Sequence, residues 1–263
     1  MTIIDVTAAA TVARVGPLPY IRHLLLVPDS TLALAVVRTP HAQGQSGSSV
    51  SAIALDRGAV IWQAPVPAGD RLRIGGSDAA RVLAFGTDWI RLWNGATGET
   101  LFDAMTFLRE AEPSPIAIRE AALAKDRIIL VYDTQAGLEI ASIDVNSGRV
   151  LNHTQLPASR ASAFSAWWSP DRNALLVLSQ DRLSLWDTDA LRPVGDLNPP
   201  AGRGRLFAGF DASGKLLATM RSTSDGLDRH VVISDVHTRM RQRMIDDVNR
   251  HGEHIITCSG FSD

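Results

Sequence analysis

Six times along the chain an apolar stretch runs into Asp or Asn, then a few small or polar residues, then a second stretch: at Asp5, Asp56, Asn94, Asp144, Asp187 and Asp235. Asp and Asn accept hydrogen bonds from backbone two residues on, and Gly58, Gly98 and Gly148 supply the positive φ that closes a tight hairpin. The pattern predicts paired strands: Thr2 to Val6 with Val12 to Val15, Val50 to Leu55 with Val60 to Ala64, Trp89 to Trp93 with Thr100 to Phe102, Leu138 to Val145 with Val150 to His153, Arg182 to Trp186 with Arg192 to Val194, and Val231 to Val236 with Arg239 to Met244. A second series interleaves with the first, in which a turn leads into a strongly apolar strand. It comprises Leu24 to Ser30 into Leu32 to Val37, Ser169-Pro170-Asp171 into Ala174 to Leu178, and Phe210 to Gly214 into Leu216 to Ala218. Segments such as Ile128 to Tyr132 are apolar at consecutive positions, which is expected of strands buried on both faces.

Members of the first series lie 51, 38, 50, 43 and 48 positions apart, near the roughly 40 to 50 residues of a four-stranded blade. The chain is therefore predicted to be all-β, a β-propeller of about six four-stranded blades, the last incomplete. With strands a to d counted from the axis outward, the first series marks c–d turns and the second marks a–b turns. One domain, 1–263, is expected: 1–18 as the c–d strands of a closing blade, 19–246 as five blades, and 247–263, with Ile255 to Asp263 as a strand a reaching its turn, as the start of a final blade. A ring left short of strand b would be open or truncated, and more blade sequence is expected beyond Asp263. Ser114 to Lys125 and the set Met240, Met244, Ile245 and Val248 also fit helical periodicity; both are kept as strand or loop in the repeat register.

The segment Ala84-Phe85-Gly86-Thr87-Asp88-Trp89-Ile90-Arg91-Leu92-Trp93-Asn94 resembles the last half of a WD repeat, and Leu178 to Asp187 is similar with a full Trp-Asp. Trp168-Ser169-Pro170-Asp171 resembles the Ser-Pro-Asp-Gly turn of the same family. As a pattern the likeness to a degenerate WD-repeat-like β-propeller covers nearly the whole chain. Only two blades carry the Trp, and the Gly-His dipeptide is absent before strand a. The structural network of Asp, His, Ser or Thr and Trp that the resemblance implies is thus partial, at Thr87, Asp88 and Trp93 and at Ser179, Asp181, Trp186 and Asp187. The resemblance also implies a non-catalytic protein-protein interaction scaffold.

Composition adds limits. Of 263 residues, 45% are hydrophobic and 21% charged, and the net charge of -2 lacks the basic surplus of a nucleic-acid binder. Only Lys125 and Lys215 are lysine among 26 basic residues, a skew read first as genome composition, although arginine offers carboxylates a planar fork. Cys258 is single, so no intramolecular disulfide forms. Met1 to Leu18 has Asp5 ahead of any basic residue, and no window approaches the ~18 apolar residues of a membrane span. A cytoplasmic protein off the membrane is expected.

The candidate chemistry is thin. Gly209 to Lys215 approximates a phosphate loop, but Leu216 stands where Ser or Thr must hold magnesium, and a strand follows instead of a helix. His251, His254 and Cys258 lack a fourth ligand, Ser46 lacks a nucleophile elbow, and Asp187 with Asp189 and Asp246 with Asp247 suit turns. No catalytic residue, cofactor or metal is expected. What remains is a candidate interaction face of Gln43, Gln45, Arg109, Arg203, Arg205 and Arg229, on the b–c and d–a connections, which share one end of the blades. A b–c loop from Thr39 to Ser49 and a d–a insertion from Thr106 to Pro115 enlarge that face. Its expected occupant is an acidic or polar protein partner. The alternatives are a propeller hydrolase or lactonase with its site at the channel mouth, and a sensory or regulatory domain of a larger signalling protein.

Overall fold

Aliphatic and β-branched runs broken by Asp, Asn and Gly favour short pleated strands over helices, and strands are what the chain forms. The computed structural model describes residues 2–5, 10–14, 20–27, 31–40, 46–67, 73–77, 80–103, 117–157, 164–179, 182–197, 205–211, 213–222, 231–238 and 241–245. A two-stranded pair, β1 (Thr2–Asp5) with β2 (Ala10–Arg14), precedes five four-stranded sheets whose strands lie side by side in chain order. The first sheet holds β3 (Ile21–Leu26), β4 (Leu32–Pro40), β5 (Ser46–Ala54) and β6 (Ala59–Val66). The second holds β7 (Arg73–Ser77), β8 (Arg81–Phe85), β9 (Ile90–Asn94) and β10 (Thr100–Asp103). The third holds β11 (Ala117–Ala124), β12 (Arg127–Asp133), β13 (Leu138–Asp144) and β14 (Val150–Gln155). The fourth holds β15 (Phe164–Trp168), β16 (Ala174–Ser179), β17 (Arg182–Asp187) and β18 (Arg192–Leu197), and the fifth β19 (Arg205–Phe210), β20 (Leu216–Ser222), β21 (Val231–Asp235) and β22 (Arg241–Ile245). The chain divides into two compact units, Met1–Ala136 with Ile143–Leu151, and Gly137–Ser142 with Asn152–Asp263.

In the first unit, strand b is buried on both faces. Val82 and Ala84 of β8 pack with Leu34, Val36 and Val50 of the first sheet. The alternate residues Leu83 and Phe85 pack with Ile118, Leu123, Ile128 and Leu130 of the third. In the second unit, Leu176, Leu183 and Leu185 of the fourth sheet meet Ala208, Phe210 and Leu217 of the fifth. Each Val, Leu, Ile or Phe side chain among these contributes about 1.5–3 kcal/mol by leaving water. Of the stretches that also fitted a helix, the described parts form strands, β11 (Ala117–Ala124) and β22 (Arg241–Ile245), and the rest lies outside the described residues. Tertiary burial overrides the helical propensity of Ala and Glu, and Ala121, Ala122 and Leu123 are all buried in the sheet.

A recurring backbone bond fixes the register. In all five sheets the c–d turn donates to a carbonyl of the a–b turn: Leu55 to Thr31, Gly95 to Ala80, Val145 to Asp126, Thr188 to Asn173 and Val236 to Lys215, at 2.6 to 3.1 Å. The residue just before each donor is the turn-opening position, which places Ala54, Asn94, Asp144, Asp187 and Asp235 in line. The Gly58 amide accordingly donates to Ala54, as Gly98 does to Asn94 and Gly148 to Asp144. Asp56 is therefore two residues out of line, on the exposed tip of its turn. The backbone bonds alone close this hairpin, so its opening position tolerates alanine. A second correction concerns the loop expected from Thr39 to Ser49. Arg38, Thr39 and Pro40 pair with Ser48, Gly47 and Ser46, so the connection shortens to 41–45, because ladder pairing continues past the buried core without needing apolar side chains.

Elsewhere the acid caps act as expected. Asn94 Oδ1 accepts from the Ala96 and Thr97 amides, and Asp187 Oδ1 from Asp189 and Ala190. Asp144 Oδ1 accepts from the Asn146 and Ser147 amides and the Ser147 hydroxyl. The Ser147 bonds hold the Asp144 carboxyl below its ordinary value of 3.8. A group lowered on folding stabilises the native state above its unfolded value and stops doing so as pH falls through the folded one. Ser147→Ala is thus expected to be less stable than wild type at pH 7, and the gap should close as pH drops through and below 3.8. Urea unfolding at pH 7 and pH 3 measures this, and a gap of equal size at both would refute it.

One packing motif was not evident from turn chemistry. Trp62 of β6 lies over the c–d turn of the second sheet, its indole N–H donating to the Gly95 carbonyl at 2.7 Å and its ring 6.2 Å from that of Trp93. Gly98, at φ +73°, lies so close beneath that a Cβ there would sit 2.8 Å from Trp62 Cγ. Phe102 repeats the arrangement over Gly148, where a Cβ would come within 2.8 Å of its ring. Trp62 and Phe102 each stand four residues after a turn glycine, Gly58 and Gly98.

Candidate functional site

The end of the sheets carrying the b–c and d–a connections holds two ion pairs, both in the first unit. Arg73 opens β7, Arg119 and Glu120 lie near the start of β11, and Asp133 closes β12. The guanidinium of Arg73 bonds the Glu120 carboxylate across the second and third sheets. Arg119 Nε donates to Asp133 Oδ2 at 2.7 Å. The Ile118 amide, one residue earlier, donates to the Thr87 carbonyl at 2.6 Å, so the b–c turn of the second sheet pins the start of β11.

Arg119 occupies a β-bulge. Ile118 pairs with Tyr132 and Glu120 with Val131, leaving Arg119 as the extra residue. Bulges re-aim a side chain and locally break the ladder. Register shifts also occur between Ile21 and His23 in β3 and between Ile74 and Gly76 in β7, so the irregularity recurs at the same place in three consecutive first strands.

The burial is graded. The arginine side chains are 49% and 27% exposed at Arg73 and Arg119, whereas their acids are 17% at Glu120 and 5% at Asp133. Burial pushes the Glu120 carboxyl above its ordinary value, with the Arg73 guanidinium working against the rise. Asp133 Oδ1 is buried and has no hydrogen-bond partner among the described residues. Leaving half of a buried carboxylate unpaired is costly. The exposed pairs Arg91–Asp103 at 2.8 Å and Arg182–Asp196 at 2.7 Å lack this character, and surface pairs of this kind contribute little.

Of the expected interaction face, Gln43, Gln45, Arg109, Arg203 and Arg229 lie outside the described residues; Arg205 begins β19, and its side chain lies outside them. Thr87 and Asp88 are exposed on the b–c turn of the second sheet, next to the start of β11. Trp93 is buried against Trp62. Ser179 and Trp186 are buried as well, and Asp181 lies outside the described residues. The Trp186 indole donates to Ser184 Oγ at 3.1 Å, a partner not singled out in sequence. His251, His254 and Cys258 also lie outside, and among the described residues no group of three or more His, Cys, Asp or Glu is placed to hold a metal. No described helix is long and apolar enough to cross a membrane.

The signal that sequence reading passed over is a charged residue ending an apolar strand. Asp133 follows Ile128-Ile129-Leu130-Val131-Tyr132 directly, a position that needs a partner if the strand is internal. Arg119 would have been its nearest arginine on the adjoining strand.

No family model and no curated protein matches the sequence. Solved structures do match the fold. The chain is similar to Hsv2 from Kluyveromyces lactis, at TM-score 0.60 and 11% identity over 89% of this chain and 68% of that one. It is similar to the computationally designed Ika8 protein, at TM-score 0.57 and 13% identity over 90% and 65% of the two chains. It is also similar to the WD40 domain of Toxoplasma gondii coronin, at TM-score 0.55 and 14% identity over 87% and 65%. The chain thus spans about two thirds of the length of the structures it matches. Five four-stranded sheets with strands in chain order, with cores between neighbouring sheets inside each unit, and these likenesses together make the fold of this chain that of a β-propeller, similar to that of WD-repeat propellers.

Proposed function

We propose that the chain is a non-catalytic scaffold that binds an acidic or polar protein partner at the b–c and d–a end of its sheets. The observation that carries this reading is the placement of Arg73 and Arg119 there, each more exposed than the acid it bonds. Rigid sheets carrying variable connections suit recognition, and the fold supports protein interaction in general. In the repeat register Gln43, Gln45 and Arg109 belong to that end of the first unit's sheets, and Arg203, Arg205 and Arg229 to the corresponding end of the second unit's sheets.

Charge reversal of Arg203, Arg205 and Arg229 to Glu together is expected to weaken cross-linked capture of the partner severalfold, while thermal stability stays nearly unchanged. Capture at the wild-type level would show that this face is wrongly assigned.

A further inference from the structure

We propose that Arg119 forms a preorganised binding site for a side-chain carboxylate on the partner, with Arg73 at the same end of the neighbouring sheet. The inference rests on the reading of the chain as a protein-interaction scaffold and adds the chemistry of one contact.

A guanidinium presents five N–H donors in a fixed plane, and a carboxylate is held best by two parallel ones. Arg119 uses its Nε for Asp133, and its NH1 and NH2 groups bond nothing among the described residues. Arg73 uses NH1 for Glu120, and its Nε and NH2 are likewise open among the described residues. Both forks are thus half-engaged. The acids they engage are the less exposed partners. Holding a long side chain by one edge removes its rotamer freedom before the ligand arrives, and this strengthens binding by lowering the ordering cost.

The backbone adds to the preorganisation. Arg119 sits on a bulge, where its direction is set by an irregular ladder, and the preceding residue is tied to Thr87. The half-satisfied Asp133 carboxylate has an explanation on this view: it is a positioning residue whose cost is retained for the sake of the arginine it orients. Taken with their acids the two arginines are formally neutral, but in each pair the cation is the more exposed member. Such a site favours a carboxylate in a defined place over a general attraction for polyanions. Asp88, exposed on the turn bonded to β11, is the neighbouring acid that opposes a ligand of the same sign.

The test titrates the full chain with a fluorescein-labelled peptide of alternating Glu and Ser, followed by anisotropy, beside the same peptide with Gln for Glu. The Glu peptide is expected to bind and the Gln peptide to bind at least about tenfold more weakly, the scale of a lost charge-assisted hydrogen-bond pair. Arg119→Met should weaken the Glu peptide by about tenfold, and Arg119→Lys, which keeps the charge and loses the fork, should restore only part of that. Because Arg119→Met leaves Asp133 unpaired, the double variant Arg119→Met with Asp133→Asn is measured as well, and its circular dichroism compared with wild type. Asp88→Asn should tighten binding.

Equal affinity of wild type and the folded double variant would overturn the site while leaving the scaffold reading intact. Equal binding of the Gln peptide, or displacement of the Glu peptide by inorganic phosphate at equal concentration, would overturn the assignment to a carboxylate. Binding of neither peptide by wild type would overturn the site and count against the scaffold reading together.

Discussion

Gly98→Ala is expected to lower the stability of the chain by about 2–5 kcal/mol, read as a shift of the urea midpoint at unchanged slope. Two costs add. An alanine at φ +73° carries the left-handed penalty of roughly 1–2 kcal/mol, and its Cβ would overlap the Trp62 ring at 2.8 Å. Trp62 cannot retreat cheaply, because its indole N–H is bonded to Gly95 and its ring packs on Trp93. Gly214 supplies the control. It has φ +70°, but a Cβ there meets nothing nearer than Pro170 Cδ at 3.6 Å, so Gly214→Ala should cost only the backbone term. In a Trp62→Ala background, itself down by about 3–5 kcal/mol, the Gly98→Ala penalty should shrink to that of Gly214→Ala. If Gly98→Ala and Gly214→Ala prove equally costly in the wild-type background, the aromatic lid over the turn is not a packing contact.

The second large effect follows from burial on both faces of strand b. Val82 and Leu83 are adjacent, point to opposite faces and are each 0% exposed. Val82→Asn and Leu83→Asn should each cost about 3 kcal/mol or more, from lost apolar burial and an amide without partners. Leu151→Asn, on the outer strand β14 at 56% exposure, should stay within about 0.5 kcal/mol. A sheet with one wet face would tolerate one of the two inner substitutions. Midpoints from guanidinium unfolding separate the cases, and tolerance at either Val82 or Leu83 would contradict packing of sheet on sheet.

What could be read from the chain was local. Asp144, Asp187 and Asn94 bond amides two and three residues on, so the turn and the residue that makes it are neighbours in sequence. Consecutive apolar residues such as Ile128 to Val131 announce burial on both sides without reference to any other segment. Asp56 misled because residue type was taken as the marker, whereas the marker is the backbone bond from Gly58 to Ala54. The two ion pairs were harder still. Arg73 and Glu120 lie 47 residues apart, and Arg119 reaches Asp133 from a bulge, an irregularity no periodic pattern encodes. Trp62 was visible as a packing residue, but its target, Gly98, belongs to the next repeat.

The bond between the a–b and c–d turns also distinguishes the two ends of every sheet. It clamps one end of each repeat with a main-chain contact that is indifferent to side chains, so drift in sequence there leaves the geometry standing. The opposite end has no such recurring clasp among the described residues, and its connections differ in length from one repeat to the next: four residues between β8 and β9, five between β4 and β5. Insertions can therefore accumulate on that side without prising a blade apart, and a lineage carrying this architecture is free to remodel what it recognises while the clasped side keeps the frame.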